Sequence, residues 1–266
     1  MSKISPRYLR KIYERLFAKY GPQSWWPAKT RFEVIVGAIL TQNTSWTNVE
    51  KAIANLHKAH LLSPAALKNI PVDNLSQLIK PAGYFNVKAR RLKNFIEFFF
   101  KEYNGQLERM SKAPLQKLRR GLLSVNGIGP ETADSILLYA LDKPVFVVDA
   151  YTKRILSRHR LMDEATDYHA VQKEFMQSLP QDTRMFNEYH ALIVRLGKEL
   201  CKSKPWCDLC PLNDIHYSID YKCFCCRKPL PRPHERYVLN NALSPKRYFC
   251  KECWKKKGSR IGKLKI

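Results

Sequence analysis

The sequence predicts an all-α fold that ends in a small cysteine-rich module. Three observations carry this reading. Apolar residues recur at helical spacing along most of the chain, in segments divided by short Pro- or Gly-containing breaks. Two of these segments meet at Asn126-Gly127-Ile128-Gly129-Pro130, a tight glycine turn. All eight cysteines lie in the last quarter of the chain, beginning at Cys201.

The N-terminal stretch MSKISPRYLRKIYERLF reads as an amphipathic helix with Tyr8, Ile12, Leu16 and Phe17 at helical spacing. It lacks the apolar core of a signal peptide. Residues 32–40 are an apolar stretch ending in Thr41-Gln42-Asn43-Thr44. Residues 49–57 and 75–79 give two further amphipathic pieces, and over 89–103 Leu92, Phe95, Ile96 and Phe99 share one side. Segments 115–123 and 132–141 flank the glycine turn, and 151–158, 170–179 and 188–200 complete the helical part. No internal repeat is visible. Near Tyr221 the composition changes: residues 222–266 hold 14 Lys/Arg, two acids and five cysteines with little helical periodicity, which marks a separate module.

Over 266 residues there are 47 Lys+Arg against 23 Asp+Glu, a net charge of +24. That balance points to a polyanionic partner, nucleic acid before membrane. No apolar span or amphipathic anchor is present, so no membrane partner is expected. A cytoplasmic location, nucleoid-associated in a prokaryote, and a monomer are the default expectations. Clustered cysteines without a secretion signal suggest metal ligation and not disulfides. Cys223-x2-Cys226 with Cys250-x2-Cys253 reads as a tetrahedral zinc ribbon, with His234 a weaker alternative ligand. The surrounding lysines and arginines suit a nucleic-acid backbone.

Pro130 fits the first position of a helix, where its missing N–H is no loss. The turn before it therefore presents free backbone N–H groups at a positive helix end, a site for an anion such as a phosphate. Asp149 follows Val145-Phe146-Val147-Val148, so one carboxylate stands next to apolar surface. The plainer reading of these features is a hairpin that only grips nucleic acid, with Asp149 as a helix cap.

The order hairpin, helix, apolar run, Val-Asp resembles the helix-hairpin-helix DNA glycosylases of the endonuclease III superfamily, over roughly residues 25–210. The resemblance implies a six-helix domain at 28–143 that carries the hairpin. It implies a second helical domain built from 1–27 and 144–220, with DNA crossing the groove between the two. The basic zinc-ribbon-like module would be 221–266. Hairpin residues Asn126, Gly127, Ile128 and Gly129 would hold DNA, and Asp149 would be the catalytic carboxylate. Breaking an N-glycosidic bond develops positive charge on the sugar, which an ionised carboxylate stabilises while orienting water. Burial would raise the Asp149 pKa and helix N-termini would lower it; the sequence leaves the balance open. Bifunctional members carry a Schiff-base lysine on the helix after the hairpin. Glu131 stands at that position here, which implies a monofunctional enzyme.

Ser24-Trp25-Trp26-Pro27, the run Leu40–Trp46 and residues 81–92 resemble the 3-methyladenine DNA glycosylase III branch. That likeness implies hydrolytic excision of alkylated purines from double-stranded DNA, after the damaged base is flipped out. Trp25 and Trp46 would stack on the base, with Trp26 and Pro27 shaping the pocket. An electron-rich aromatic sandwich favours a cationic base, by ~1–2 kcal/mol when desolvated. Gln42 would fill the gap left by the base or, on the plainer reading, make a helix-end hydrogen bond. Lys88, Arg90 and Arg91 would contact phosphates or form a solvated face. Cys201-x5-Cys207-x2-Cys210 resembles the iron–sulfur loop of these relatives, whose spacing is C-x6-C-x2-C-x5-C around a structural [4Fe–4S] cluster. The first gap is one residue shorter here, and His216 stands where the fourth cysteine would be. The fourth ligand is left open among His216, Cys223 and Cys225, beside the alternative of a three-cysteine remnant without metal. The competing functions are an endonuclease III-like glycosylase/lyase for oxidised pyrimidines, a mismatch glycosylase for thymine, uracil or adenine, and a non-catalytic DNA-binding protein.

Overall fold

The computed structural model describes residues 4–23, 26, 28–215, 225–226, 237–239 and 247–258. Helix α1 (Pro6–Tyr20) starts on a proline and ends at Gly21, and it buries Leu9, Ile12 and Leu16. Phe17, expected on that stripe, is instead exposed, because Leu9 takes the inward position one turn before Ile12. Helix α2 (Arg31–Leu40) is capped by Thr30, whose side chain accepts from the Glu33 N–H. Every residue from Phe32 to Leu40 is buried, so α2 is a central helix with no solvent face. Around it pack α3 (Trp46–Lys58) and the long α6 (Phe85–Tyr103), whose predicted stripe of Leu92, Phe95, Ile96 and Phe99 is fully inside.

Helices α4 (Pro64–Asn69), α5 (Val72–Leu78) and α7 (Leu107–Lys112) complete this layer. The pattern reading passed over α4 and α7, since six residues are too few to show a period. Helix α8 (Leu115–Ser124) leads through the glycine turn into α9 (Pro130–Ser135). Residues Ile136–Ala140 then widen into a π-helical turn, all five buried and packed on α2.

Val145, Phe146, Val147 and Val148 run in an extended, buried path to α10 (Ala150–Arg158). Phe146 stacks on Phe175 of α11 (Tyr168–Ser178) with ring centroids 3.8 Å apart. Its carbonyl accepts from Gln172 Nε2 at 2.7 Å. This pinning delivers Asp149 to the start of α10. Helix α12 (Thr183–Glu199) lies against α10 and α1, and Tyr189 of α12 donates its hydroxyl to the Leu9 carbonyl. The close α10–α12 approach needs Gly197, where a Cβ would meet the Tyr151 ring at 2.3 Å. In the C-terminal module, β1 (Tyr237–Leu239) pairs antiparallel with β2 (Arg247–Phe249), and α13 (Lys251–Gly258) follows. That last helix was not expected from the periodicity of the tail.

Asp134 of α9 is completely buried and ties the hairpin to α11. It takes a bidentate pair from Arg119 of α8 (2.8 and 3.0 Å), plus Tyr168 Oη (2.8 Å) and Gln172 Nε2 (2.7 Å). Removing one member of a buried pair leaves its partner uncompensated, typically ~3–5 kcal/mol. Because Arg119 keeps some access to solvent, Asp134→Ala is expected at the lower end, about 3 kcal/mol in urea unfolding. Arg31→Ala, which removes the exposed pair with Asp142, should change stability by less than about 1 kcal/mol.

Candidate active site and DNA-binding hairpin

Gly127 turns the hairpin with φ +93°, in the region that side chains disfavour. A Cβ there would also meet Arg91 Cγ at 2.3 Å, because the Arg91 chain lies across the turn. Arg91 Nη1 donates to Gln42 Oε1, and Gln42 Nε2 donates to the Gly127 carbonyl (3.0 Å) and to Thr132 Oγ1 (2.9 Å). Asn94 Nδ2 adds a bond to the Asn126 carbonyl at 3.0 Å. Gln42, Arg91 and the turn are therefore one hydrogen-bonded unit, and the Gln42 amide is engaged by the hairpin. Ile128 N–H donates back to Val125. Among the described residues, the N–H groups of Gly127, Gly129, Glu131 and Thr132 meet no protein acceptor, and Gly129 and Glu131 are exposed, where an anion can reach them.

Arg90 is exposed, but Lys88 corrects the expectation of a phosphate contact. It is only 1% exposed, and its ammonium donates to the carbonyls of Leu40 and Ala82, each at 2.8 Å. Desolvation, then the charge of Arg91, pulls its pKa down to about 8. Its periodic position among basic residues looks like a surface run, yet it falls on the inner face of α6. It locks the end of α2 to the loop before α6.

Asp149 caps α10. Its Oδ1 accepts from Thr152 N (2.7 Å) and Thr152 Oγ1 (2.8 Å), and its Oδ2 lies 3.6 Å from His190 Nε2. The capping reading and a role as a charged site group are thus compatible: one oxygen is committed and the other faces His190. Burial acts to raise the carboxyl pKa, but His190 and Thr152 together outweigh it and hold the group below its usual value. His190 Nδ1 is hydrogen-bonded to Tyr139 Oη within the π-turn. Glu131 sits at the first turn of α9, open at its surface yet walled in by neighbouring protein. Desolvation, then the negative charge of Asp149, pushes its pKa up to about 7, against the pull of His190.

An aromatic wall adjoins these groups. The Trp26 ring lies tilted on Tyr139 (4.9 Å) and edge-on to Trp46 (5.4 Å). Gly37 of α2 leaves room for both indoles: a Cβ there would stand 3.3 Å from Trp46 and 3.5 Å from Trp26. Trp26 has a left-handed backbone, φ +79°, a strained state for a bulky residue. Trp46 Nε1 donates to Glu50 at 2.8 Å, while the buried Trp26 Nε1 has no protein acceptor among the described residues. Trp25 and Pro27 lie outside the described residues, so the expected Trp25–Trp46 sandwich is not described.

Sequence reasoning missed Tyr139, His190 and Gly37. Tyr139 and Gly37 sit inside apolar runs and read as core. His190 falls on the inner stripe of α12, where nothing in its neighbours marks it.

The sulphurs of Cys226, Cys250 and Cys253 all lie within 4.8 Å of one another, and Cys226 Sγ and Cys250 Sγ are 3.8 Å apart. Ligands at the Zn–S length of about 2.3 Å on a tetrahedron stand about 3.8 Å from each other. This donor set fits zinc. Cys223 and His234 lie outside the described residues. In the other loop Cys201 is buried and accepts from Arg158 Nη1 at 3.2 Å. Cys207 and Cys210 are joined by a short 3-10 turn. The Cys210 thiol is pushed up to about 11 by burial, then by the proximity of Cys201 and Cys207. Among the described residues Cys201, Cys207 and Cys210 do not bring three sulphurs within 4.8 Å of one another, as Cys226, Cys250 and Cys253 do. His216 lies outside the described residues.

Residues 36–181 match the model of the HhH-GPD superfamily of base excision DNA repair proteins. The chain belongs to the HhH-GPD superfamily. The match encloses Gln42, the hairpin and Asp149, and stops before His190 and the cysteines. A provisionally named DNA repair glycosylase of Methanocaldococcus jannaschii is 52% identical over 207 residues, 77% of this chain and 94% of the relative. The crystal structure of the Helicobacter pylori 3-methyladenine DNA glycosylase bound to 1,N6-ethenoadenine is similar at a TM-score of 0.63 and 27% identity. It covers 73% of this chain and 97% of that one. A non-covalent endonuclease III–DNA complex shares the fold at a TM-score of 0.69 and 21% identity, covering 80% and 95% of the two chains. The HhH-GPD protein described here is a DNA glycosylase of base excision repair, and DNA is its partner. No helix among the described residues is long and apolar enough to cross a membrane.

Gly127→Ala forces both a strained φ and a collision with Arg91, and so should splay the turn. Duplex affinity, read by fluorescence anisotropy, is expected to fall roughly tenfold, the equivalent of about 1.4 kcal/mol.

Proposed function

We propose that this enzyme is a monofunctional glycosylase that hydrolyses the N-glycosidic bond of alkylated purines of the 3-methyladenine type. The observation that carries this reading is the juxtaposition of a Trp26–Trp46 wall with two carboxylates, Asp149 and Glu131, where bifunctional relatives place a lysine. In this reading residues 28–143 form one domain and 1–27 with 144–220 the second, with DNA in the groove between them and the hairpin N–H groups on a phosphate.

The chemistry follows from charge. An alkylated purine such as 3-methyladenine carries positive charge on its ring, so its glycosidic bond is already weak and little acid assistance is needed. Indole faces attract the cation, and two nearby carboxylates strengthen that preference over neutral bases. As the base leaves, positive charge moves to the sugar, where ionised Asp149 stabilises it and orients water for attack at C1′. Lys153, the lysine nearest to Asp149 in sequence, directs its ammonium to the Thr166 carbonyl at 2.7 Å. Cys201, Cys207 and Cys210 would hold a [4Fe–4S] cluster, with His216 or Cys225 as fourth ligand when Cys223 serves the zinc. Cys226, Cys250 and Cys253 would hold zinc with Cys223. Both groups would supply structure and no step of the hydrolysis.

The test is chromatography of bases released from dimethyl-sulfate-treated duplex DNA. The parent should release 3-methyladenine, Asp149→Asn should bind the duplex yet release none, and borohydride should trap no enzyme–DNA adduct. Release of thymine, uracil or oxidised pyrimidines instead would overturn the alkylation reading.

Glu131 supplies a pH signature. Ionised above about 7, it adds a second negative charge near the cationic base. Affinity for duplex holding the cationic base should therefore rise roughly threefold to fourfold from about pH 6 to 8, most of the effect of ~1 kcal/mol of charge interaction. Glu131→Gln should abolish that rise.

A further inference from the structure

We infer that Tyr139 and His190 are positioning residues for Asp149: the tyrosine hydroxyl fixes the histidine tautomer, and the histidine presents its remaining N–H to the free carboxylate oxygen. The inference rests on the glycosylase reading of Asp149 but is carried by a separate set of contacts.

The chain of contacts runs across three elements. Tyr139 Oη on the π-turn meets His190 Nδ1 on α12, and His190 Nε2 lies 3.6 Å from Asp149 Oδ2 at the start of α10. Tyr139 is buried, and that burial, followed by the charges of Asp149 and Glu188, raises its pKa well above the ordinary value, so it stays a phenol. As a phenol it can donate to Nδ1. The ring proton then resides on Nε2, which faces Asp149 and has no other protein partner among the described residues. The opposite tautomer would leave a lone pair of Nε2 against a carboxylate in a buried place, two acceptors facing each other. At 3.6 Å the contact is an electrostatic one that shortens into a hydrogen bond with a small movement.

Two features hold the histidine there. The Phe146 ring stands edge-on to it, and the Tyr139 ring packs at 5.9 Å. The π-turn is what brings Tyr139 into line; such a turn inside an α-helix is often found at working sites. The same Tyr139 ring also packs against Trp26, centroids 4.9 Å apart. The ionisable groups that bear on the trio are Glu131 from α9, which feels both Asp149 and His190, and Glu188 from α12, which acts on Tyr139.

The consequence is that Asp149 keeps its charge in spite of burial because of these two residues together with Thr152. The test uses the full-length, metal-loaded protein labelled with carboxyl-13C aspartate, the Asp149 signal being the one lost in Asp149→Asn. Tyr139→Phe removes a single oxygen. His190→Gln keeps a donor near the Nε2 position, and His190→Leu removes it. The titration midpoint of Asp149 is expected to move up by about one pH unit in Tyr139→Phe and His190→Leu, and by less in His190→Gln. The acid limb of the base-release profile should move with it, kcat falling while KM stays. An unchanged Asp149 midpoint in folded Tyr139→Phe, or in folded His190→Leu, overturns the inference. Failure of the parent to release any base would instead sink the proposed function, and the carboxyl titration would still decide the positioning role.

Discussion

A helix that begins at Ala150 leaves its first N–H groups without partners, and Asp149 supplies the acceptor. That requirement sets the place of the carboxylate, and much of the surrounding structure follows from it. Oδ1 is held by Thr152, so Oδ2 must face away from α10. It faces α12 because Gly197 lets α10 lie close, with the Tyr151 ring where a side chain would otherwise stand. The extended run before it is fixed by the Phe146–Phe175 stack and the Gln172 bond. A carboxylate placed in this way is ionised by its hydrogen bonds and not by exposure, since its side chain is only 11% exposed.

The hairpin depends on the same economy of small residues and backbone contacts. Gly127 lets Arg91 cross the turn, and Arg91 in turn orients Gln42 toward the hairpin carbonyl. The buried Asp134 then joins the hairpin helices to α11, next to the run that carries Asp149. The hairpin turn and the carboxylate are thereby connected through one polar network and one aromatic stack. A shift of α9 relative to α11 would disturb both.

The features legible in the sequence were those that local physics dictates. The helix stripe of α6, the glycine turn with its proline, and the carboxylate after an apolar run can each be read without knowing what packs against them. Lys88 shows the limit. Its neighbours Arg90 and Arg91 suggest a basic surface, and only the carbonyl groups of Leu40 and Ala82, distant in sequence or hidden in a loop, reveal that it points inward. Tyr139 and His190 were illegible for the same reason. Fifty-one positions separate them, and each sits on a stripe that reads as core. Gln42 was seen, but its bonds to the hairpin come from a turn 85 residues away.

The aromatic wall and the carboxylates also constrain each other. Trp26 rests on Tyr139, Tyr139 bonds to His190, and His190 faces Asp149. The side chains that meet the flipped base in the proposed reading are thus packed on those that hold the catalytic charge. A substitution that repositions Trp26 would act, through Tyr139, on the carboxylate as well as on the indole wall. Gly37 extends this coupling to the central helix, since its missing side chain gives the two indoles their room. The strained backbone of Trp26 is maintained only where packing over-determines it, and Tyr139, Trp46 and Gly37 are the groups that supply that packing.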